Sequence, residues 1–200
     1  MRFRTFLLSG ILWYSFLPGA VPLEGQEGAF AFKIRGGASI PVAEFRAQDR
    51  GWEGKTGMGP TFGMGFTVPF PGPTDAYLGF SQHRFSCDEN VCPRGKEWVS
   101  TGFDLALRKV FGQGAIRPWI QAGFRSHRME GRVLEEGDVP TSHSEGGSGF
   151  EVGGGILIRL AERTSLSPGI RYGEGTVPFP DREMLRLRYL VADLGLVMWF

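Results

Sequence analysis

The chain of 200 residues carries 22 Lys and Arg against 21 Asp and Glu, which gives a formal net charge of +1. Such a balance lacks the basic surface that nucleic-acid binding needs, so we exclude nucleic acid as a partner. The length suits one domain. Glycine, at 31 residues, is about twice as frequent as in an average protein.

The N-terminal segment has the layout of a secretory signal peptide. Arg2 and Arg4 precede an apolar run over 6–17, and small residues with a proline follow. The alternative is an N-terminal membrane anchor, but a run of about 12 apolar residues is short for a spanning helix. We therefore expect the chain to leave the cytoplasm.

Two cleavage positions fit this layout, one after Ala20 and one after Gly25. We assign residues 1–25 to the signal peptide and residues 26–200 to a single mature domain. Removal of the signal peptide brings the formal net charge to 0, since two arginines and one glutamate are lost. No stretch of the mature sequence is long and apolar enough to span a membrane as a helix.

Segments of alternating apolar and polar residues, bounded by turn residues, fill the mature sequence. Such alternation is typical of strands with one apolar face, and the glycines inside the segments argue against helices. Each segment is long enough to cross a bilayer as a tilted strand, which needs about 9–11 residues. The predicted strands are 29–40, 58–70, 75–85, 97–110, 116–128, 148–161, 164–173 and 185–200.

The connections between these segments alternate in length. This alternation indicates an all-β, eight-stranded antiparallel up-and-down barrel with one elaborated rim and one tight rim. Bacterial outer-membrane barrels have short periplasmic turns and longer extracellular loops. The long connections are 41–57, 86–96, 129–147 and 174–184, and the short ones are 71–74, 111–115 and 162–163.

The charged residues of the predicted strands share one face, opposite the apolar residues. In a soluble lipocalin-like barrel they would point outward, whereas in a membrane barrel they would line the lumen. The abundance of glycine favours the membrane barrel, because a narrow lumen needs small residues beside long ones. Aromatic residues at strand ends also favour it. The predicted lumen charge cluster is Lys33, Arg35, Asp104, Arg108, Arg125, Glu151, Arg159, Arg171 and Asp193.

The last segment, "YLVADLGLVMWF", ends on an aromatic residue with apolar residues at alternate positions before it. With the signal peptide, the eight strands and the loop alternation, it resembles the small eight-stranded outer-membrane β-barrel proteins of the OmpA and OmpX type. In that family such a strand is the recognition signal for the barrel-assembly machinery. The resemblance implies this role for Leu194, Leu196, Met198 and Phe200.

This resemblance implies an architecture more than a role, because these barrels share a scaffold and differ in function. It implies an integral protein of the outer membrane of a Gram-negative-type bacterium, with outer-membrane lipids and the assembly machinery as partners. We expect a monomer without cofactors that is structural or interacts through its long extracellular loops. The alternatives are a narrow pore for small, possibly anionic, solutes, and third a soluble barrel that binds lipid.

The residues that could carry chemistry are few. Cys87 and Cys92 enclose four residues of a long loop, and in an exported chain a disulfide is the default for such a pair. A metal site with His83 and nearby carboxylates is the alternative. Ser126 and His127 are adjacent in a strand and so face opposite sides, which excludes them as a dyad. His143 lies among serines in a predicted loop, so we expect neither catalytic nor metal-binding residues.

Overall fold

The computed structural model describes residues 30–42, 56–70, 74–86, 96–133, 140–179 and 182–200. These residues form nine antiparallel strands, of which eight close into a barrel. The strands are β1 (Ala31–Pro41), β2 (Gly59–Phe70), β3 (Thr74–Ser86), β4 (Lys96–Val110), β5 (Ile116–Val133), β6 (Pro140–His143), β7 (Gly147–Ala161), β8 (Thr164–Phe179) and β9 (Arg182–Trp199).

Each strand of the barrel pairs with its neighbours in sequence, and β9 returns to β1 to close the ring. Ala31 lies opposite Trp199 at one end of the β1–β9 seam, and Pro41 lies opposite Tyr189 at the other. The short strand β6 lies outside the ring and pairs only with the far end of β5. The predicted fold, a closed eight-stranded antiparallel barrel, is confirmed.

The connections differ from the prediction at two places, and at the first of them β5 extends to Val133 and β6 occupies Pro140–His143 within the predicted loop 129–147. The three short connections, 71–73, 111–115 and 162–163, lie at one rim. The predicted long loop over 174–184 is wrong, because β8 and β9 continue as a paired hairpin with only residues 180–181 between them. The inward positions of this hairpin are apolar (Val177, Phe179, Leu185 and Leu187). Burial of these side chains stabilises both strands beyond the predicted boundary.

The two faces of the wall have opposite chemistry. Phe124 is 76% exposed and Phe103 is 64% exposed, both on the outside, while Arg35 and Arg171 are only 4% and 1% exposed on the inside. A water-soluble barrel has the reverse arrangement, because apolar surface gathers away from water. The membrane arrangement is therefore the one that this wall fits.

Two of the sequence predictions fall on residues that the structure does not describe. The signal peptide over 1–25 lies outside the described residues, and so do Cys87 and Cys92, whose disulfide stays a prediction. His83, offered as a partner in the alternative metal site, is buried within the lumen. Within the described ranges, no helix is long and apolar enough to cross a membrane.

Candidate functional site

The middle of the lumen holds a set of ion-paired side chains that we call the central cluster. Arg35 reaches three carboxylates: its guanidinium lies 2.9 Å from Asp104, 3.5 Å from Asp193 and 3.9 Å from Glu151. Arg125 and Arg171 complete the set. The central cluster thus contains three arginines and three carboxylates, all buried: Arg35, Arg125, Arg171, Asp104, Glu151 and Asp193.

The arginines of the central cluster share their carboxylates. Arg125 lies 3.5 Å from Asp104, and Arg171 lies 3.6 Å from Glu151 and also contacts Asp193. Asp104 Oδ2 accepts a further hydrogen bond of 2.6 Å from the Ser81 hydroxyl. Mutual neutralisation of this kind is what permits charges to be buried at all.

Glycines beside the long side chains give the central cluster its room. A Cβ at Gly63 would overlap Arg35 Nε, and one at Gly153 would overlap the Arg171 side chain. A Cβ at Gly195 would lie 2.7 Å from Cε of Lys33. The narrow lumen therefore explains the excess of glycine in the sequence. A long side chain can lie over the neighbouring strand because the glycine there has no side chain to overlap it.

A second ion pair lies nearer the rim with the short turns. Arg108 donates to Asp75 Oδ2 from Nη2 at 2.8 Å and from Nε at 3.3 Å. Close to this rim Lys33 donates to the Ser167 hydroxyl at 3.3 Å and lies over the Trp119 ring, 5.1 Å from its centroid. The register places Asp75 on β3 directly opposite Arg108 on β4.

Eight of the nine residues in the predicted lumen charge cluster are buried. Lys33, Arg35, Asp104, Arg108, Arg125, Glu151, Arg171 and Asp193 are each at most 8% exposed. Arg159 is the exception, because it lies at the end of β7 beside a short turn, where a register shift interrupts the pairing with β8. Its side chain is exposed, although its position has inward parity.

Sequence reasoning missed two charged residues of the lumen, Asp75 and Arg117. Both are 6% exposed. The signal was present, since Asp75 has the same parity as Tyr77 in β3 and Arg117 the same parity as Trp119 in β5. Both lie at the first or second position of their strands, where parity is hardest to read because the strand boundary is uncertain.

Two buried histidines lie on the side of the central cluster that faces the long connections. His83 Nδ1 is 2.7 Å from the Thr61 hydroxyl, and its ring lies 5.0 Å from that of Tyr189. Arg125 donates to the Tyr189 hydroxyl at 2.6 Å. His127 is buried with neither ring nitrogen hydrogen-bonded. Thr61 and His83 are 8% and 0% exposed, so this hydroxyl–imidazole pair belongs to the packed interior of the barrel.

The other candidate side chains for chemistry are separated by the fold. Ser126 faces outward and is exposed, whereas His127 next to it is buried inside. His143 is exposed on β6, and its Nδ1 lies 4.0 Å from the Glu130 carboxylate. Among the described residues no group of three His, Cys, Asp or Glu is placed to hold a metal ion.

Apolar side chains close the lumen on both sides of the charges. The upper apolar layer, toward the long connections, consists of Phe85, Met129, Val177, Phe179, Leu185, Leu187, Tyr189 and Val191. The lower apolar layer, toward the short turns, consists of Ala31, Trp119, Leu157 and Val197. Four members of the upper apolar layer are fully buried: Phe85, Met129, Leu187 and Val191. This layer therefore fills the cross-section of the lumen.

A surface depression of about 600 Å³ lies on the outside of the barrel and not in the lumen. Its lining includes Gly36, Gly154 and Ala192, which expose little side chain, together with Ile156 and Ile170. These positions face outward, within the apolar belt formed by the exposed Phe, Leu and Ile side chains of the strands. The depression is therefore part of the membrane-facing wall, and its lining also includes Asp193 of the central cluster.

Outside the apolar belt, the β8–β9 hairpin carries an exposed ionic cluster. Glu174 accepts hydrogen bonds from the Tyr172 hydroxyl at 2.8 Å and from Arg186 at 2.6 and 2.9 Å. Arg188 lies 3.3 Å from the same carboxylate. The bond from Tyr172, followed by that from Arg186, lowers the pKa of Glu174 to about 2.

Comparison with known proteins agrees with this architecture. No protein-family model matches the sequence, and no curated protein matches it. Among solved structures, the chain is similar to Neisserial surface protein A, with a TM-score of 0.64 and 14% identity over 86% of this chain and 97% of that one.

Two Pseudomonas aeruginosa structures are also similar. The outer membrane protein OprG has a TM-score of 0.52 and 14% identity over 86% of this chain and 98% of that one. The N-terminal barrel domain of OprF has a TM-score of 0.51 and 11% identity over 87% and 100%. At such identities the likeness concerns the fold. The chain has the fold of the small eight-stranded outer-membrane β-barrels, the proteins that its sequence resembles.

Proposed function

We propose that the protein is an integral outer-membrane barrel without enzymatic activity, whose role is structural or lies in contacts made at its long-connection end. The observation that carries the proposal is the inverted wall, with charges inside and Phe, Leu and Ile outside. Exposed apolar surface around the whole circumference is favourable only in lipid. The fold that it shares with outer-membrane barrels supports the same location.

The ionic surface beyond the apolar belt supports contacts at that end. Glu174, Arg186 and Arg188 on the hairpin, and Arg84 with Glu97 at 3.6 Å on β3 and β4, are polar and outward-facing. Strands that continue past the belt carry these side chains clear of the hydrocarbon. A partner or a lipid headgroup would meet this surface first.

The packed lumen supports a closed barrel over the alternative of a narrow pore. Ions would have to cross the upper apolar layer, whose members Phe85, Leu187 and Val191 are fully buried. They would then have to displace the paired charges of the central cluster. Side chains alone are expected to fill a barrel of eight strands.

Two measurements test the proposal. Purified protein in detergent should migrate differently on a denaturing gel before and after boiling, because a closed barrel resists detergent until it is heated. Solubility without detergent would contradict the membrane location. In planar bilayers the refolded protein should show no discrete conductance steps, and regular anion-selective openings would establish the pore instead.

A further inference from the structure

The buried charges of the described lumen do not balance. Six cationic side chains (Lys33, Arg35, Arg108, Arg117, Arg125 and Arg171) accompany four carboxylates (Asp75, Asp104, Glu151 and Asp193). The central cluster is internally matched, three against three, and Arg108 is matched by Asp75. Lys33 and Arg117 remain, and within the described ranges neither has a carboxylate at ion-pair distance.

Arg117 is the more instructive of the two. It lies at the second position of β5, faces inward near the short-turn rim and is only 6% exposed, and its Nε has no hydrogen-bond partner. Arg117 pairs with Leu157 on β7, and the Arg159 amide donates to the Ala115 carbonyl, so positions 117 and 159 are diagonal neighbours on β5 and β7. Three arginines, at positions 108, 117 and 159, therefore accompany one carboxylate at this mouth of the barrel, and Arg108 is paired with that carboxylate, Asp75.

Lys33 is a further basic side chain, buried deeper on the same side. Among the described residues, its Nζ contacts the Ser167 hydroxyl and the face of the Trp119 ring. The indole Nε1 of Trp119 is buried without a hydrogen-bond acceptor. Two buried donors in this half of the lumen, Arg117 Nε and Trp119 Nε1, thus lack a hydrogen-bond acceptor among the described residues.

We propose that the short-turn mouth of the barrel binds a small oxyanion of the phosphate or sulfate class, held between Arg117 and Arg159. A buried cation without a counter-charge is unfavourable, and an anion from solution would neutralise it. The planar guanidinium fork suits oxyanions, because it donates two parallel hydrogen bonds to two oxygens. Arg159 is exposed and provides the entry from solvent.

The site lies on the short-turn side of the central cluster, so it does not require passage through the lumen. It also goes beyond the proposed structural role, since a barrel closed to solutes can still hold an anion at one mouth. Arg108 contributes positive charge to the site from further inside, and Asp75 keeps Arg108 in place.

The test is equilibrium dialysis of refolded wild-type protein in zwitterionic detergent against radiolabelled inorganic phosphate at constant ionic strength. We expect saturable binding of one phosphate per barrel that unlabelled sulfate displaces and chloride does not. Arg117→Gln should weaken binding about tenfold to a hundredfold, the range expected for loss of charged hydrogen bonds. Arg128→Gln is the matched control, because Arg128 is exposed on the outer face of the same strand.

Absence of saturable binding to the wild-type barrel would overturn the proposal. Equal affinities of Arg117→Gln and Arg128→Gln would also overturn it, as would displacement by chloride as effective as that by sulfate. Should Arg117→Gln fail to fold, Arg159→Gln decides the question, because an exposed side chain can be changed without disturbing the core. Unchanged binding in Arg159→Gln would then count against the site.

Discussion

Nη2 of Arg35 on β1 donates a hydrogen bond of 2.9 Å to Oδ2 of Asp104 on β4, with β2 and β3 between them on the shorter way around the barrel. The bond crosses the lumen, so it directly links two parts of the wall that are not neighbours in the backbone ladder. Asp104 also lies 3.5 Å from Arg125 on β5. One carboxylate therefore holds three strands of the wall together.

Asp104→Asn should destabilise the barrel strongly. The substitution keeps the shape of the side chain but leaves Arg35 and Arg125 short of one negative charge inside the wall. Removing one partner from a buried ion pair typically costs about 3–5 kcal/mol. Urea unfolding in lipid vesicles measures the change, and Glu162→Gln in an exposed turn should stay within about 0.5 kcal/mol of wild type. Similar effects of the two changes would refute a structural role for the central cluster.

Gly63→Ala should destabilise the barrel, whereas Gly36→Ala should not. A Cβ at Gly63 overlaps the middle of the Arg35 side chain, and overpacking of this kind costs about 1–3 kcal/mol. At Gly36 the nearest atom would be 3.9 Å away, so alanine fits without strain. Both glycines lie in adjacent strands. Alanine lowers the conformational entropy of the unfolded chain equally in the two variants, so this effect cancels in their comparison. Equal unfolding free energies for the two variants would contradict the proposed packing.

Acid should loosen the β8–β9 hairpin through Glu174. Because its folded-state pKa is about 2, below the ordinary 4.5, the stability that this carboxylate contributes is present above about pH 4.5. That contribution is lost as the pH falls through about 2. An NMR titration of the Glu174 carboxyl carbon measures the pKa directly. In Arg186→Gln, which removes the positive charge and the two guanidinium hydrogen bonds, the midpoint should move up toward 4.5, and a wild-type midpoint already at 4.5 would refute the contact.

Phe200→Ala should lower the amount of protein in the outer membrane more than it lowers stability in vitro. Phe200 stacks on Phe30 with 5.1 Å between ring centroids, and its side chain is 53% exposed, so few contacts are lost. The assembly role that the resemblance implies for Leu194, Leu196, Met198 and Phe200 predicts failure before folding. Phe124→Ala on β5 is the control, because it removes another lipid-facing ring. Quantitative blots of outer-membrane fractions compare the amounts of the Phe200→Ala and Phe124→Ala proteins. Equal amounts of the two would contradict an assembly role for Phe200.

The eight strands were predictable from the sequence because alternation along a strand is a local property. Parity alone placed Lys33, Arg35, Asp104 and Asp193 on one face and Phe103 and Phe124 on the other. The hairpin of β8 and β9 was missed where Gly, Pro and charged residues, common in loops, occupy positions that pairing with the neighbouring strand keeps extended. In such a segment the local preference for the strand conformation is weak, and pairing with the neighbouring strand decides whether a strand forms.

By itself the sequence determined the strands, their antiparallel order and the faces, since period-two alternation and connection length are written along the chain. The sequence also favoured the charged face as the inner one, through its glycines and strand-end aromatics, and the tertiary structure has those side chains buried inside the closed ring. Only the tertiary structure decided that Arg108 meets Asp75 and that Arg117 has no carboxylate at ion-pair distance among the described residues. Those pairings depend on register and barrel closure, which bring together residues of β1, β4 and β7 that no local pattern relates.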